Sequence, residues 1–313
     1  MTGGYERGLA EVADNVWAWV QPDGSWGWNN AGLVGGVGAS LLVDTLFDLR
    51  LTQEMLDGMA GITSTRPIQT LVNTHANGDH CFGNQLVDAE IIATEACFEE
   101  FGMDSPEMLA QLTTADLGDL VVNQFVREAF GAFDFSGIVA TPPTRTFVDQ
   151  LELAVDGTRV DLIEVGPAHT NGDLIAYVPD AKTVFGGDIL FIYGTPIVWA
   201  GPVDNWIRAC ERILALDVET IVPGHGPITD REGPKMVSDY LRFIQTEAGE
   251  RQAAGMSATD ATRDIELGEF GEWTDSERLA VNVHAVYRDN DPDYTAPPLA
   301  QLVVEMAHLI DRT

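Results

Sequence analysis

Short apolar runs broken by glycine and asparagine open the chain. "NVWAWVQP" and "AGLVGGVGASLLVDT" predict β-strands joined by tight turns within residues 8–60. "LFDLRLTQEMLDGMAGI" returns an apolar residue every three or four positions, which predicts a helix. "IQTLVNT" predicts a short buried strand, and "GNQLVDAEIIATEACFEEF" a strand followed by a helix.

Residues 103–140 break this rhythm. "SPEMLAQLTTADLGDLVVNQFVREAFGAF" has helical spacing and no strand pattern, so it predicts an inserted helical hairpin. Its Met108, Leu109 and Leu112 would form a lid or simply pack. "RTFVDQLELAVDGTRVDLIEVGPAH" and "LIAYVPDAKTVFGGDILF" return to strands, with turns at Asp156-Gly157 and Pro179-Asp180. "NWIRACERILAL" predicts an amphipathic helix with Trp206 and Cys210 in the core, and "VETIVPGHGPI" a strand ending in a loop.

Beyond about residue 232 the strands stop. "GPKMVSDYLRFIQTEAGERQAAG", "TDSERLAVNVHAVYRDN" and "PPLAQLVVEMAHLIDR" all predict helices. The expected organisation is an α/β domain over residues 8–232 and a helical extension over 233–313. The extension could pack on its own domain or build a homodimer.

Composition narrows the partners. The 313 residues carry 49 acids against 17 bases, a formal charge of −32, and only Lys182 and Lys235 are lysines. Such a surface repels nucleic acid and anionic membranes and attracts cations. Adaptation to a salty cytoplasm would account for it; so would an arginine-preferring, GC-rich genome. No run of about 18 apolar residues suggests a membrane span. "MTGGYERGLAEVADNVW" lacks the basic-then-apolar order of a signal peptide, so a cytoplasmic protein is expected. The three cysteines, Cys81, Cys97 and Cys210, form no CxxC pair, which argues against a disulfide scaffold or a thiolate zinc site.

Candidate chemistry lies in the histidines. Of six, His75, His80, His169 and His225 each follow an apolar strand and sit among Gly or Pro. Loops at strand ends are where scaffolds present reactive groups. His284 and His308 fall in tail helices and are read as packing or surface residues. Asp79 lies inside "HANGDH", and Asp188 follows an apolar strand and two glycines in "TVFGGD". Imidazoles and carboxylates without thiolate suit Zn²⁺, Fe or Mn.

In this order, "HxNGDH", "GPAHTNGD", "FGGD" and "PGHG" resemble the motifs of the metallo-β-lactamase-fold hydrolases over residues 15–230. The resemblance implies an αββα sandwich with the hairpin inserted. It implies one metal site of His75, Asn77 and His169, a second of Asp79, His80 and His225, and Asp188 bridging both. One or two zinc ions would be held, and a water or hydroxide between them would be the nucleophile. Asp79 would orient that water and take up its proton.

The family's usual first motif is HxHxDH, and Asn77 stands where its second histidine would be. The amide oxygen could coordinate directly, hold a metal-bound water, or leave the first site empty. "HTNGD" echoes "HANGD", so Asn171 and Asp173 are minor ligand candidates; Asn-Gly-Asp is also plain turn chemistry. Cys81, beside His80, is not needed as a ligand.

The resemblance implies a metal-dependent hydrolase of an ester, thioester or lactone. The Asn variant, with "PPTRTF" and "GTPIVWAGPVDNW", also resembles aromatic polyketide cyclases that release chains as thioesterases, so aldol cyclisation is the alternative. A bridging Asp where some β-lactamases use Cys argues against a β-lactamase. No flavodoxin-like pattern follows residue 232, which disfavours a di-iron oxidoreductase. Trp26 and Trp28 in one loop, with Phe191, Tyr193 and Trp199 in another, would line a pocket for a hydrophobic or aromatic small molecule.

Overall fold

A computed structural model describes residues 5–310. One sheet has seven strands in chain order: β1 (Gly8–Ala13), β2 (Val16–Val20), β3 (Ala31–Gly35), β4 (Ser40–Val43), β5 (Ile68–Val72), β6 (Glu90–Thr94) and β7 (Arg145–Phe147). Pairing is antiparallel from β1 to β4 and parallel from β4 to β7. The other sheet comprises β8 (Gln150–Val155), β9 (Thr158–Glu164), β10 (Leu174–Val178), β11 (Thr183–Phe185) and β12 (Thr220–Val222), in the order β12-β11-β10-β9-β8. Only β11 and β12 pair parallel in it.

The helices are α1 (Leu49–Thr63), α2 (Gly78–Cys81), α3 (Glu95–Glu100), α4 (Pro106–Thr114), α5 (Leu120–Phe130), α6 (Val203–Leu214), α7 (Glu232–Ala253), α8 (Ala258–Asp264), α9 (Leu279–Asn290) and α10 (Leu299–Ile310).

Side chains alternate across a strand, so each sheet has two faces to cover. Val16, Ala18 and Val20 of β2 meet Leu162 of β9 and Ala176 of β10 between the sheets. The alternate positions Trp19, Leu33, Leu42 and Leu71 pack against Leu51, Met55 and Met59 of α1. On the far side, Ile163, Ile175 and Val184 pack against Trp206 and Ile213 of α6 and Leu241 of α7. This is the expected αββα sandwich. Its β8–β9 turn has Asp156 at φ 42° and Gly157 at φ 101°. Two positive φ values mark a tight hairpin turn whose twist matches the strands.

Residues 106–130 form the helical pair expected of the insertion, with α4 capped by Ser105 and α5 by Asp119. Leu109 and Leu112 pack against the core, whereas Met108 is 42% exposed. The tail folds back on its own chain. His308 of α10 meets Asp119 at the start of α5, 2.9 Å apart. His284 is buried between Tyr294 and Glu305, a packing residue as expected. The short α8 was not among the expected tail helices; its seven residues are too few to show a helical period. Among the described residues no helix is long and apolar enough to cross a membrane.

Candidate metal centre

Parallel strand ends build the site. β4, β5, β9, β11 and β12 all finish at one edge of the sandwich. His75, Asp79 and His80 follow β5, the last two on the single turn of α2. His169 follows β9, Asp188 follows β11, and His225 follows β12. Residues far apart in sequence thus meet because their strands share a direction.

Asp188 lies at the centre. Its Oδ1 is 3.0 Å from His80 Nε2. Its Oδ2 is 3.4 Å from both His169 Nε2 and His225 Nε2, and 3.7 Å from His75 Nε2. Asp79 Oδ2 lies 3.3 Å from His225 Nε2. Two groups could each hold a metal ion: His75, His169 and Asp188, and Asp79, His80 and His225. Of these six side chains Asp79 is the most open, at 14% exposure.

Each imidazole is turned by its other nitrogen. His80 Nδ1 donates to Asp44 Oδ2 (2.9 Å), His169 Nδ1 to the Ile197 carbonyl (2.8 Å) and His225 Nδ1 to the Gly24 carbonyl (3.1 Å). His75 Nδ1 donates to Thr74 Oγ1 (3.1 Å), whose own proton goes to Asp44 Oδ2. With the proton held at Nδ1, Nε2 of a neutral ring is a bare lone pair. All four Nε2 atoms face inward. Metal-binding histidines are oriented in this way by their outer partners.

The fit to a cation can be tested on what is left unpaired. His75 Nε2, His80 Nε2 and Asp188 Oδ1 are buried without a hydrogen-bond partner; the last two are close but misaligned for one. Buried polar atoms are ordinarily satisfied. His169 sharpens the point: its Nε2 lies 2.7 Å from Asn77 Oδ1. Burial lowers the pKa of His169, favouring the neutral ring, so two lone pairs would face each other. A shared cation removes the conflict. The donor set therefore fits a divalent metal.

The electrostatics agree. Burial, then neighbouring His80, pushes His75 well below the ordinary imidazole range. For His80 burial acts downward too, but Asp188, Asp44 and Asp79 outweigh it and raise the pKa well above that range. His225 is likewise opposed by burial yet raised by Asp188 and Asp79 to about 9. Against burial, His225, His80 and His75 hold Asp188 well below the usual carboxylate range. The carboxylates thus favour positive charge at His80 and His225, the charge that a bound cation would supply.

The remaining candidates divide. Asn77 is at the site through its oxygen. Asp173 caps its own turn, accepting from Thr170 N (2.9 Å) and Oγ1 (2.8 Å), and burial raises its pKa to about 8. Asn171 bonds Glu100. Both serve the turn. Cys81 is buried and its thiol meets the Asn77 carbonyl at 3.2 Å, inside its own helical turn. Trp206 is buried as expected, and its ring edge also supports His169.

Among the aromatic candidates, Phe191 stacks flat on His225 at 5.0 Å with an interplanar angle of 6° and is 1% exposed. It backs a ligand rather than presenting a face to solvent. Trp199 is half-buried, and its backbone N–H donates to the His169 carbonyl at 3.1 Å. Trp26 is half-buried beneath the Arg278 guanidinium and donates to Glu277. Trp28 instead pairs with Phe133, and Tyr193 lines a separate cavity of about 560 Å³ in which no ligand candidate takes part.

Two residues of the site escaped the sequence reading. Asp44, after β4, is buried and holds both His80 and Thr74. An acid directly after an apolar strand was the available signal, the same one that marked Asp188. Asp104 accepts from Gly78 N (2.9 Å) and Asn77 Nδ2 (3.3 Å), and no motif flags it.

The chain is 26% identical over 196 residues to the 2,4-dinitroanisole O-demethylase subunit alpha of Nocardioides sp. (strain JS1661), covering 59% of this chain and 48% of that one. It is 31% identical over 118 residues to the hydroxyacylglutathione hydrolase of Rhizobium meliloti (strain 1021), covering 36% and 45%. The chain thus spans about half the length, or less, of these curated relatives. The fold resembles that of the inverting sec-alkylsulfatase Pisa1 from Pseudomonas sp., with a TM-score of 0.69 at 18% identity over 94% of this chain and 53% of that one. It also resembles a metallo-beta-lactamase from Pontibacter korlensis, with a TM-score of 0.56 at 17% identity over 76% and 99%. The sequence profile of the Metallo-beta-lactamase superfamily matches residues 24–225, which hold every one of the ligand candidates, and the chain belongs to that superfamily.

Proposed function

We propose that this chain is a metal-dependent hydrolase that cleaves an ester, thioester or lactone of a small apolar or aromatic molecule. One observation carries the reading: four imidazoles, each tied outward at Nδ1, surround one buried carboxylate with their Nε2 atoms. The nitrogen and oxygen donors suit zinc, at one or two ions per chain, with iron or manganese as alternatives. Bound there, a divalent cation supplies Lewis acidity toward a carbonyl oxygen and lowers the pKa of water to about 7.

The chain's own residues do the rest. His75, His169, Asp188 and the Asn77 oxygen would form the first site. Asp79, His80 and His225 would form the second, with Asp188 shared. Asp79 is the open carboxylate among them, suited to orient the attacking water and accept its proton. Phe191 and Trp206 wall the site with rings that exclude water behind His169 and His225. With Trp26 covered by Arg278, the half-buried Trp199, whose backbone meets His169, is the aromatic candidate left for substrate. A relative named as a hydrolase supports cleavage by water.

The test is a substrate panel. Protein stripped of metal and reloaded with Zn²⁺ is expected to hydrolyse aryl esters, acyl thioesters or lactones, and Asp79→Ala to lower kcat by about 10²-fold or more. Full zinc occupancy without turnover of any of the three classes contradicts the proposal. Ring closure of a poly-β-ketone chain by the same protein would replace it with the cyclase reading.

A further inference from the structure

We infer that Asp104 is a positioning residue for the first metal site, holding the Asn77 amide with its oxygen, and not its nitrogen, turned toward His169. The inference rests on the metal reading above and extends it to the loop that opens the helical insertion. Asp104 lies between α3 and α4, outside every motif of the metal cluster. One oxygen, Oδ2, accepts both Asn77 Nδ2 at 3.3 Å and the Gly78 backbone N–H at 2.9 Å. The same amide then presents Oδ1 to His169 Nε2 at 2.7 Å.

An amide has two ends of opposite polarity, and a flip exchanges them. Flipped, Asn77 would put its oxygen against the Asp104 carboxylate, acceptor against acceptor, with no proton between. Its NH₂ group would then cover the bare Nε2 of His169, whose Nδ1 proton is committed to the Ile197 carbonyl. That arrangement satisfies the imidazole without a metal and closes the first site. Asp104 removes the flipped state. A carboxylate on the N–H side also polarises the amide and makes its oxygen a better ligand for a cation, since hydrogen bonds to ionised groups are the stronger kind. A histidine at position 77 has no amide to flip. On this account Asp104 is the compensation that lets asparagine serve there.

Zn²⁺ titration of metal-free protein tests this, read as stoichiometry and affinity by calorimetry with a competing chelator. Asp104→Ala is expected to keep the second binding event and weaken the first by about 10- to 100-fold, the usual effect of losing an outer partner. Asp104→Asn, which retains an acceptor oxygen, is expected to restore most of the loss and guards against a folding defect. The deciding comparison is made in Asn77→His protein, where Asp104→Ala should leave both events unchanged. An equal loss in both backgrounds would mean that Asp104 only props Gly78, and would overturn the inference. So would an unchanged first event in Asp104→Ala alone. If the parent chain binds no zinc at all, the metal reading itself falls, and this inference with it.

Discussion

At Gly224 a methyl group would collide with the central carboxylate, since a Cβ there would sit 2.0 Å from Asp188 Oδ1. The neighbouring Gly187 has φ +51° and would bring a Cβ within 2.8 Å of Thr74, the residue that orients His75. These glycines are where backbone and ligand must approach closely. Gly224→Ala is therefore expected to displace Asp188 and abolish metal retention; an alanine variant holding as much zinc as the parent, by elemental analysis, contradicts that. Asp44 bonds two of the site's residues, so Asp44→Asn should weaken zinc by about 10- to 100-fold in a chelator competition.

Protonation gives a third expectation. Metal must displace the protons that the metal-free cluster holds on His80, raised well above the usual range, and on His225, at about 9. Ligand protons compete with the cation, so apparent zinc affinity should rise with pH up to about 9, where His225 is half deprotonated. A flat profile between about pH 6 and pH 9 would show that those imidazoles are not ligands. The His and Asp candidates were legible because they fall in glycine-marked segments directly after apolar strands. Asp104 was not, because its role is set by a contact across 27 positions with an amide whose orientation no pattern records.

Elements were legible where a period repeats. α1 returns Leu51, Met55 and Met59 to one face, and α5 does so with Val122, Phe125 and Val126. α2, four residues long, and α8, seven, are too short to display a period; Ser257 caps α8, and α2 is held at its start by Asp104 accepting from Gly78 N. Trp28 and Tyr193 show the limit for loops. Shared loop membership with Trp26 or Phe191 does not fix which way a ring turns, and Trp28 turned to Phe133. α1 offers a prediction of its own. Asp48 caps it by accepting Leu51 N at 2.6 Å, and also accepts Asp134 N at 3.1 Å from beyond α5. Asp48→Ala should cost about 1–2 kcal/mol in urea unfolding. Because Asp48 touches no ligand candidate, zinc content should not change; a matching loss of zinc would tie the insertion to the metal site.

Over the whole molecule, 49 acids face 17 bases, and self-repulsion opposes the compact state. Screening shortens the reach of that repulsion from about 10 Å at 0.1 M salt to about 3 Å at 1 M. The unfolding midpoint is expected to climb over that range, and a midpoint indifferent to salt would leave the acidic surface without a role in stability. The same charge draws cations toward a site whose six ligand-type side chains come from four strand ends of the sandwich. Elemental analysis of protein expressed with zinc, iron and manganese supplied shows whether these residues hold a metal. About one to two transition-metal ions per folded chain are expected; less than about 0.3 per chain would mean that the six side chains do not form a metal site.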